Sequence, residues 1–152
     1  MATYEDSETV PETIVAVKKM AMNKTSYRTR NEAIETLKNY KCRQSIDVLW
    51  RLMINDKVYS VQHQAFLALQ NFGEDVKLPR KKKGNLVKDI NKKLGKVQSS
   101  FKEENCTIEE FIEKFKVMYP EEYDIYSYEK AGKMQEWIKN IVQSLPGKKE
   151  PW

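Results

Sequence analysis

The sequence has few residues that break helices. Glycine and proline occur only 5 times each among 152 residues, which leaves little material for tight turns. Lysine, glutamate, leucine, isoleucine and methionine, which favour helix, are common. No segment alternates apolar and polar residues with the period of two that is typical of a strand. The sequence therefore predicts an all-α fold.

Features of secreted and membrane proteins are also scarce. No apolar run reaches the roughly 18 residues that a membrane span needs. The segment Met1–Thr9 is polar and acidic and lacks the basic and then apolar pattern of a secretory signal. The two cysteines, Cys42 and Cys106, are far apart and form no CxxC pair, which is typical of free thiols in the cytosol. We therefore expect a cytoplasmic protein that does not associate with membranes.

Residue patterns that carry catalysis or bind metal are missing too. His63 is the only histidine, and no Cys, Asp or Glu accompanies it at ligand spacing. Because no base can be placed beside Cys42 or Cys106, we expect buried, structural thiols. The sequence has no glycine-rich phosphate loop, no HExxH, no GxSxG and no EF-hand spacing. It therefore predicts no enzyme, no cofactor and no metal site.

Apolar residues at helical spacing predict a series of helices. They begin near Thr9, span 26–40, 43–54 and 57–72, begin again at Asn85 and Thr107, and end with 128–145. Gly73 follows the fourth helix where a residue with positive φ is favoured. Thr107 and Glu110 have the spacing of a capping box. Residues 74–84 are predicted to form a loop.

Two of these helices share a sequence pattern. Segments Thr29–Tyr40 and Val61–Phe72 align 32 residues apart, as Ala33 and Ala65 show, with alanine, leucine, asparagine and a terminal aromatic residue in register. The same offset relates the first predicted helix to the third. After Phe72 the register fails, and it resumes only near Leu86. The chain therefore contains an internal helical repeat.

The repeat resembles the HEAT family, and in particular its short bacterial, phycobilisome-lyase-like form. The residues that carry the resemblance are Asn55–Asp56, Val61, Ala65, Ala68, Leu69 and Gly73, with Arg30, Ala33 and Leu37 in the earlier copy. Gln62 replaces the arginine of the family, and no glycine follows Tyr40. The resemblance covers about residues 10 to 100. It implies a short α-solenoid at 1–102 that binds a partner, followed by a helical extension at 103–152.

Two alternatives to a binding solenoid stay open. The first is a plain helical bundle in which two helices share a pattern by chance. The second follows from the resemblance, because HEAT-like folds also include DNA glycosylases for alkylated bases. The chain is short for that family, and we cannot place a catalytic acid in it.

Positive charge is concentrated in one segment. The chain has a net charge of +5, yet residues 80–96 alone carry +7. The basic residues are Arg80, Lys81, Lys82, Lys83, Lys88, Lys92, Lys93 and Lys96. On the predicted fifth helix, Lys88, Lys92 and Lys96 share one face. Such a ridge is typical of nucleic-acid or acidic-partner binding, although many charged faces are only solvated.

The sequence thus predicts a non-enzymatic scaffold that recognises a protein partner through a helical-repeat surface. The alternative is a DNA-binding protein that uses the basic ridge around residues 80–96. Strong salt dependence of binding would favour the second function. The partner and the oligomeric state are left open by the sequence.

Overall fold

The computed structural model describes residues 12–80, 86–101 and 105–145. Throughout these residues the regular structure is helical and no strand occurs, which confirms the all-α prediction. The chain divides into two compact units, Met1–Lys82 and Lys83–Trp152. This boundary precedes the predicted one at residue 102, so the fifth helix belongs to the second unit.

The described part of the first unit contains two pairs of helices. They are α1 (Glu12–Ala21), α2 (Tyr27–Leu37), α3 (Arg43–Asn55) and α4 (Tyr59–Asn71). α1 packs on α2 and α3 packs on α4, while α1 also contacts α3 and α2 contacts α4. Each helix of the first hairpin therefore lies beside the helix that matches it in the sequence repeat.

Local sequence determines where these helices begin and end. The Ser26 hydroxyl accepts a hydrogen bond from the Thr29 amide at 3.2 Å and caps α2. α4 ends at Asn71, and Gly73 lies just beyond it with a φ of 87°, which confirms the predicted positive value. The Gly73 amide donates to Gln70 O at 2.9 Å and the Glu74 amide to Leu69 O at 3.0 Å. This pair of bonds satisfies carbonyls at the end of the helix.

The buried face of α3 differs from the predicted one. Periodicity indicated Ile46 and Trp50 as inward, together with Leu49 and Met53, but Ile46 and Trp50 are half-buried. The buried residues are Ser45, Val48, Leu49, Leu52 and Met53. A serine was not counted as apolar, although its hydroxyl lies 3.3 Å from the Cys42 sulfur in the interior. Contact with both α1 and α4 also widens the face that α3 buries.

The second unit contains four more α-helices in its described part. They are α5 (Ile90–Ser100), α6 (Ile108–Met118), α7 (Pro120–Lys130) and α8 (Met134–Ser144), with a 3₁₀ turn at Ala131–Lys133 before α8. α5 packs on α6 and α8, and α7 packs on α6 and α8. The largest side chains of its core are Phe111, Phe115 and Tyr126. The capping box is confirmed, because the Thr107 and Glu110 side chains each accept the other's backbone amide.

The prediction of one last helix over 128–145 is wrong. Pro120 is the first residue of α7 rather than the end of helical structure, since a first-turn proline loses no helical hydrogen bond. α7 then ends at Lys130, where Ala131 has a φ of 44°. The positive φ turns the chain, and α8 begins at Met134. In the described ranges no helix is long and apolar enough to cross a membrane.

Candidate binding surfaces

A buried ion pair joins the two hairpins of the first unit. Arg30 of α2 contacts Asp56, which follows α3, through Nε–Oδ2 at 2.6 Å and Nη2–Oδ1 at 3.1 Å. Arg30 Nη1 also donates to Asn23 O at 2.8 Å, and Asp56 Oδ1 accepts the Val58 amide at 2.9 Å. Both side chains are only 6% exposed. This geometry satisfies the buried charges and sets the position of the second hairpin on the first.

The residue that matches Arg30 in the second hairpin is Gln62. Its Nε2 donates to Met53 O at 2.9 Å, just as Arg30 donates to a carbonyl in its own hairpin. An amide has no charge to pair with a carboxylate. Gln62 therefore forms a hydrogen bond within its own hairpin, as Arg30 does. It cannot form an ion pair of the kind that Arg30 makes with Asp56.

Three aromatic rings form a row along α4. His63 stacks against Tyr59, with ring centroids 6.1 Å apart, and lies 6.5 Å from the Phe66 ring. All three side chains are half-buried. We call Tyr59, His63 and Phe66 the α4 aromatic row. It places the single histidine among rings, and the described residues contain no group of three metal-binding side chains.

The matching edge of α2 receives the second hairpin. The residues equivalent to the α4 aromatic row are Tyr27, Asn31 and Ile34. Asn31 donates to Ser60 Oγ of α4 at 3.2 Å, and Ile34 is only 1% exposed. The α4 aromatic row therefore occupies the edge that, one repeat earlier, packs against another hairpin.

The opposite edge of α2 has a different character. Ser60 of α4 faces α2, and its equivalent in α2 is Arg28. Arg28 is exposed and lies over the Tyr27 ring, 5.3 Å from its centroid. This edge of the first hairpin thus carries an exposed charge, whereas the α4 aromatic row on the second hairpin carries half-buried rings.

The predicted basic residues fall into different environments. Arg80 is exposed at the end of the described part of the first unit. Lys81, Lys82 and Lys83 lie outside the described residues. Lys88, Lys92, Lys93 and Lys96 belong to the second unit.

Three of these lysines are exposed along α5. The helix begins at Ile90 rather than at Asn85, so Lys88 lies in the turn before it. Lys92 and Lys96 are exposed on α5, and the apolar residues Ile90, Leu94 and Val97 are buried as predicted. Within the described part of the chain, Lys88, Lys92 and Lys96 form no ion pair.

Lys93 has a separate role inside the second unit. Its ammonium group forms an ion pair with Glu122 of α7, lies 3.7 Å from Asp89 Oδ1, and is 5.6 Å from the Tyr119 ring centroid. The hydrogen bond to Glu122 raises the pKa of Lys93 above its usual value, against the opposing effect of burial. The side chain is 25% exposed and connects α5 to α7. Sequence spacing placed Lys93 outside the face shared by Lys88, Lys92 and Lys96, but it did not predict the contact with Glu122.

Both cysteines are buried, as predicted. Burial raises the pKa of Cys106, with a smaller contribution from the charge of Glu110. A raised pKa disfavours the thiolate, which is the nucleophilic form. Cys42 lies beside Ser45 in the interior of the first unit.

Comparison with known proteins adds no assignment. Protein-family models, curated proteins and solved structures give no significant match to this chain. The surfaces that bear on function are therefore the α4 aromatic row and the exposed lysines of α5 and the turn before it.

Proposed function

We propose that this protein is a non-enzymatic scaffold, and that its first unit is a short HEAT-like α-solenoid that binds a protein partner. The pairing of α1 with α3 and of α2 with α4 supports a stack of repeats. The Arg30–Asp56 ion pair between successive hairpins supports it further. Gln62 occupies in the second hairpin the position that Arg30 occupies in the first, and it carries no charge. This supports a stack in which the ionic contact between hairpins does not continue beyond the second hairpin.

The α4 aromatic row is the observation that carries the proposal. A repeat stack needs polar outer edges at its ends, because each apolar edge is otherwise left in water. The first hairpin meets this requirement through Arg28, but the second exposes part of His63 and Phe66 instead. The matching edge of α2 packs against the second hairpin, whereas the α4 aromatic row stays half-exposed. The row therefore forms the protein-binding surface of the proposed scaffold.

The chemistry of the row suits a protein partner. Tyr59, His63 and Phe66 offer flat apolar rings with two polar groups at their edges. None of the three side chains carries a fixed charge, so a partner need not supply a compensating charge. Complete burial of a ring such as Phe66 is worth about 1.5–3 kcal/mol. A row of such rings is typical of the central residues of protein interfaces.

Affinity purification with quantitative mass spectrometry tests this function. The test variant is Phe66→Glu, and the matched control is Leu67→Glu, an equal change at a neighbouring residue that is 43% exposed outside the row. We expect at least one protein to bind to the wild type and to Leu67→Glu but not to Phe66→Glu. Circular dichroism must first show that both variants keep the helical content of the wild type.

Identical sets of bound proteins for the wild type and Phe66→Glu would overturn the proposal. Photo-crosslinking provides an independent check, with a benzophenone amino acid at Tyr59 and, as control, at Arg28 on the charged edge. Crosslinks to one protein from position 59 and none from position 28 are the expected result.

A further inference from the structure

α5 carries a positively charged face that the proposed scaffold does not use. We call Lys88, Lys92 and Lys96, together with Gly95 and Ser99, the lysine face. Lys92, Gly95, Lys96 and Ser99 follow the i, i+3, i+4, i+7 spacing of one side of a helix. Lys88 extends the same line into the turn before α5. Asp89, three residues before Lys92 and seven before Lys96, lies on the same side and is the acidic residue nearest to this line.

The nearest acid does not neutralise the lysine face. Asp89 is exposed and lies in sequence between Lys88 and Lys92, but its carboxylate is near Lys93, at 3.7 Å from Nζ. Lys93 is itself held by Glu122 on the flank that faces α7. Lys93 contacts both Asp89 and Glu122 and cannot offset both charges, so these three groups and the three exposed lysines together carry a net charge of +2.

Gly95 is unusual in the middle of this face. Glycine in a helix interior costs about 1 kcal/mol relative to alanine. Packing does not require it, since an added Cβ would lie 3.7 Å from Leu145 Cδ1, an ordinary contact distance. The position of the absent side chain therefore adjoins Leu145, which follows α8.

The lysine face is held on a rigid support. Ile90, Leu94 and Val97 on the other side of α5 are completely buried in the core of the second unit. The lysines therefore project from a helix with a fixed position. A pre-organised row loses less entropy on binding than a flexible basic tail does.

We propose that the lysine face binds the phosphate backbone of duplex DNA. Lys92 and Lys96 are about 6 Å apart along the helix axis, at 1.5 Å per residue. One strand of a duplex presents a phosphate about every 3.4 Å along its axis. With α5 aligned along the duplex axis, the two helical lysines reach phosphates on one strand, and Lys88 reaches a third. The interval of about 6 Å is close to two phosphate steps of about 3.4 Å, which favours a duplex, and competition by polyglutamate distinguishes an acidic protein.

Fluorescence anisotropy of a labelled 16-base-pair duplex, measured over a series of salt concentrations, tests the proposal. For three phosphate contacts, log Kobs should fall against log salt with a slope of about −2.7, at 0.9 per phosphate. The test variant is Lys92→Glu/Lys96→Glu. The control is Lys19→Glu/Lys133→Glu, which changes two exposed lysines outside the lysine face. Both double variants lower the net charge of +5 by the same amount.

We expect the test variant to lose at least tenfold in affinity at low salt and to reduce the slope to about −0.9. The control should change affinity less than threefold. If the test variant fails to fold, Lys92→Gln/Lys96→Gln makes the same comparison without adding negative charge.

Three results would overturn the proposal. They are no binding by the wild type at low salt, equal losses in the test and control variants, and competition by polyglutamate at the same charge concentration as duplex DNA. The last result would assign the face to acidic proteins instead. None of them bears on the protein partner of the first unit, because the α4 aromatic row is unchanged in every variant.

Discussion

Arg30 and Asp56 form a buried, two-bond ion pair between the first and second hairpins, with both side chains 6% exposed. A buried pair of this kind is costly to desolvate, and its geometry must be complete to offset that cost. Additional bonds to Asn23 O and from the Val58 amide complete it. The pair therefore determines how the hairpins align more than it adds stability over an apolar contact.

Removal of one member of this pair should destabilise the first unit strongly. For Asp56→Ala we expect a loss of about 3–5 kcal/mol, because the Arg30 charge stays buried without its partner. Urea denaturation followed by circular dichroism measures the change. The control is Glu35→Gln, which removes the surface ion pair with Lys38 and should cost less than about 1 kcal/mol. Equal losses in the two variants would contradict the structural role of Asp56.

The ion pair of Lys93 predicts a pH dependence. Because the pKa of Lys93 is raised in the folded protein, its contribution is fully present below the unfolded value of about 10.5 and is lost as pH rises through the folded value. Near neutral pH the wild type should therefore melt at a higher temperature than Lys93→Met, by an amount that does not change with pH. At alkaline pH this gap in melting temperature should close.

Thermal melts of the two proteins between pH 7 and pH 11 measure this gap. Burial also raises the pKa of Tyr126, whose hydroxyl accepts the Val87 amide at 3.1 Å. Its titration affects both proteins alike and cancels in the difference. A gap that widens above pH 10 would show that Lys93 does not bond Glu122 in solution.

Ala131 should be replaceable by glycine with a gain in stability. Its φ of 44° lies in a region that costs an L-residue about 1–2 kcal/mol and costs glycine little. Ala131→Gly should therefore raise the melting temperature despite the added freedom of the unfolded chain. Gly132→Ala is the companion variant, since an added Cβ there meets no atom within 4 Å. Calorimetry measures the melting temperature of both variants. A lower melting temperature for Ala131→Gly than for the wild type would contradict the positive φ at residue 131.

Gly95→Ala separates stability from DNA binding. We expect about 1 kcal/mol of added stability from the higher helix propensity of alanine. The added Cβ would lie 3.7 Å from Leu145 Cδ1, so the affinity for DNA should stay within about twofold of the wild type. Melting curves and anisotropy on the same samples measure the two effects. A larger loss of DNA affinity would show that the duplex contacts the helix at Gly95.

Much of the helical structure was predictable because it depends on neighbouring residues. The sequence predicted the Thr107–Glu110 box and the role of Gly73 at helix ends, and the structure contains the local hydrogen bonds of both. The break at Ala131 was missed because an alanine with positive φ has no local signature. No helix was predicted to begin at Pro120, although proline is compatible with the first turn of a helix such as α7.

The surfaces were predictable only in part. Charge density identified the segment 80–96, and spacing placed Lys88, Lys92 and Lys96 on one face, but neither predicted that Lys93 pairs with Glu122. The α4 aromatic row carried no signal, since Tyr59, His63 and Phe66 match a tyrosine, an asparagine and an isoleucine in the earlier copy. Only the packing of α2 on α4 identifies that edge as one made for contact.

The sequence by itself determined the helical class, the 32-residue repeat between Ala33 and Ala65, and the position of the basic segment. Each of these depends on residue type and on spacing along the chain. The tertiary structure decided which charges are available and which are used internally. Arg30 meets Asp56, and Lys93 meets Glu122, across 26 and 29 residues of sequence. Such pairs form only when separate helices pack together, because the attraction of two charged groups depends on their distance in space.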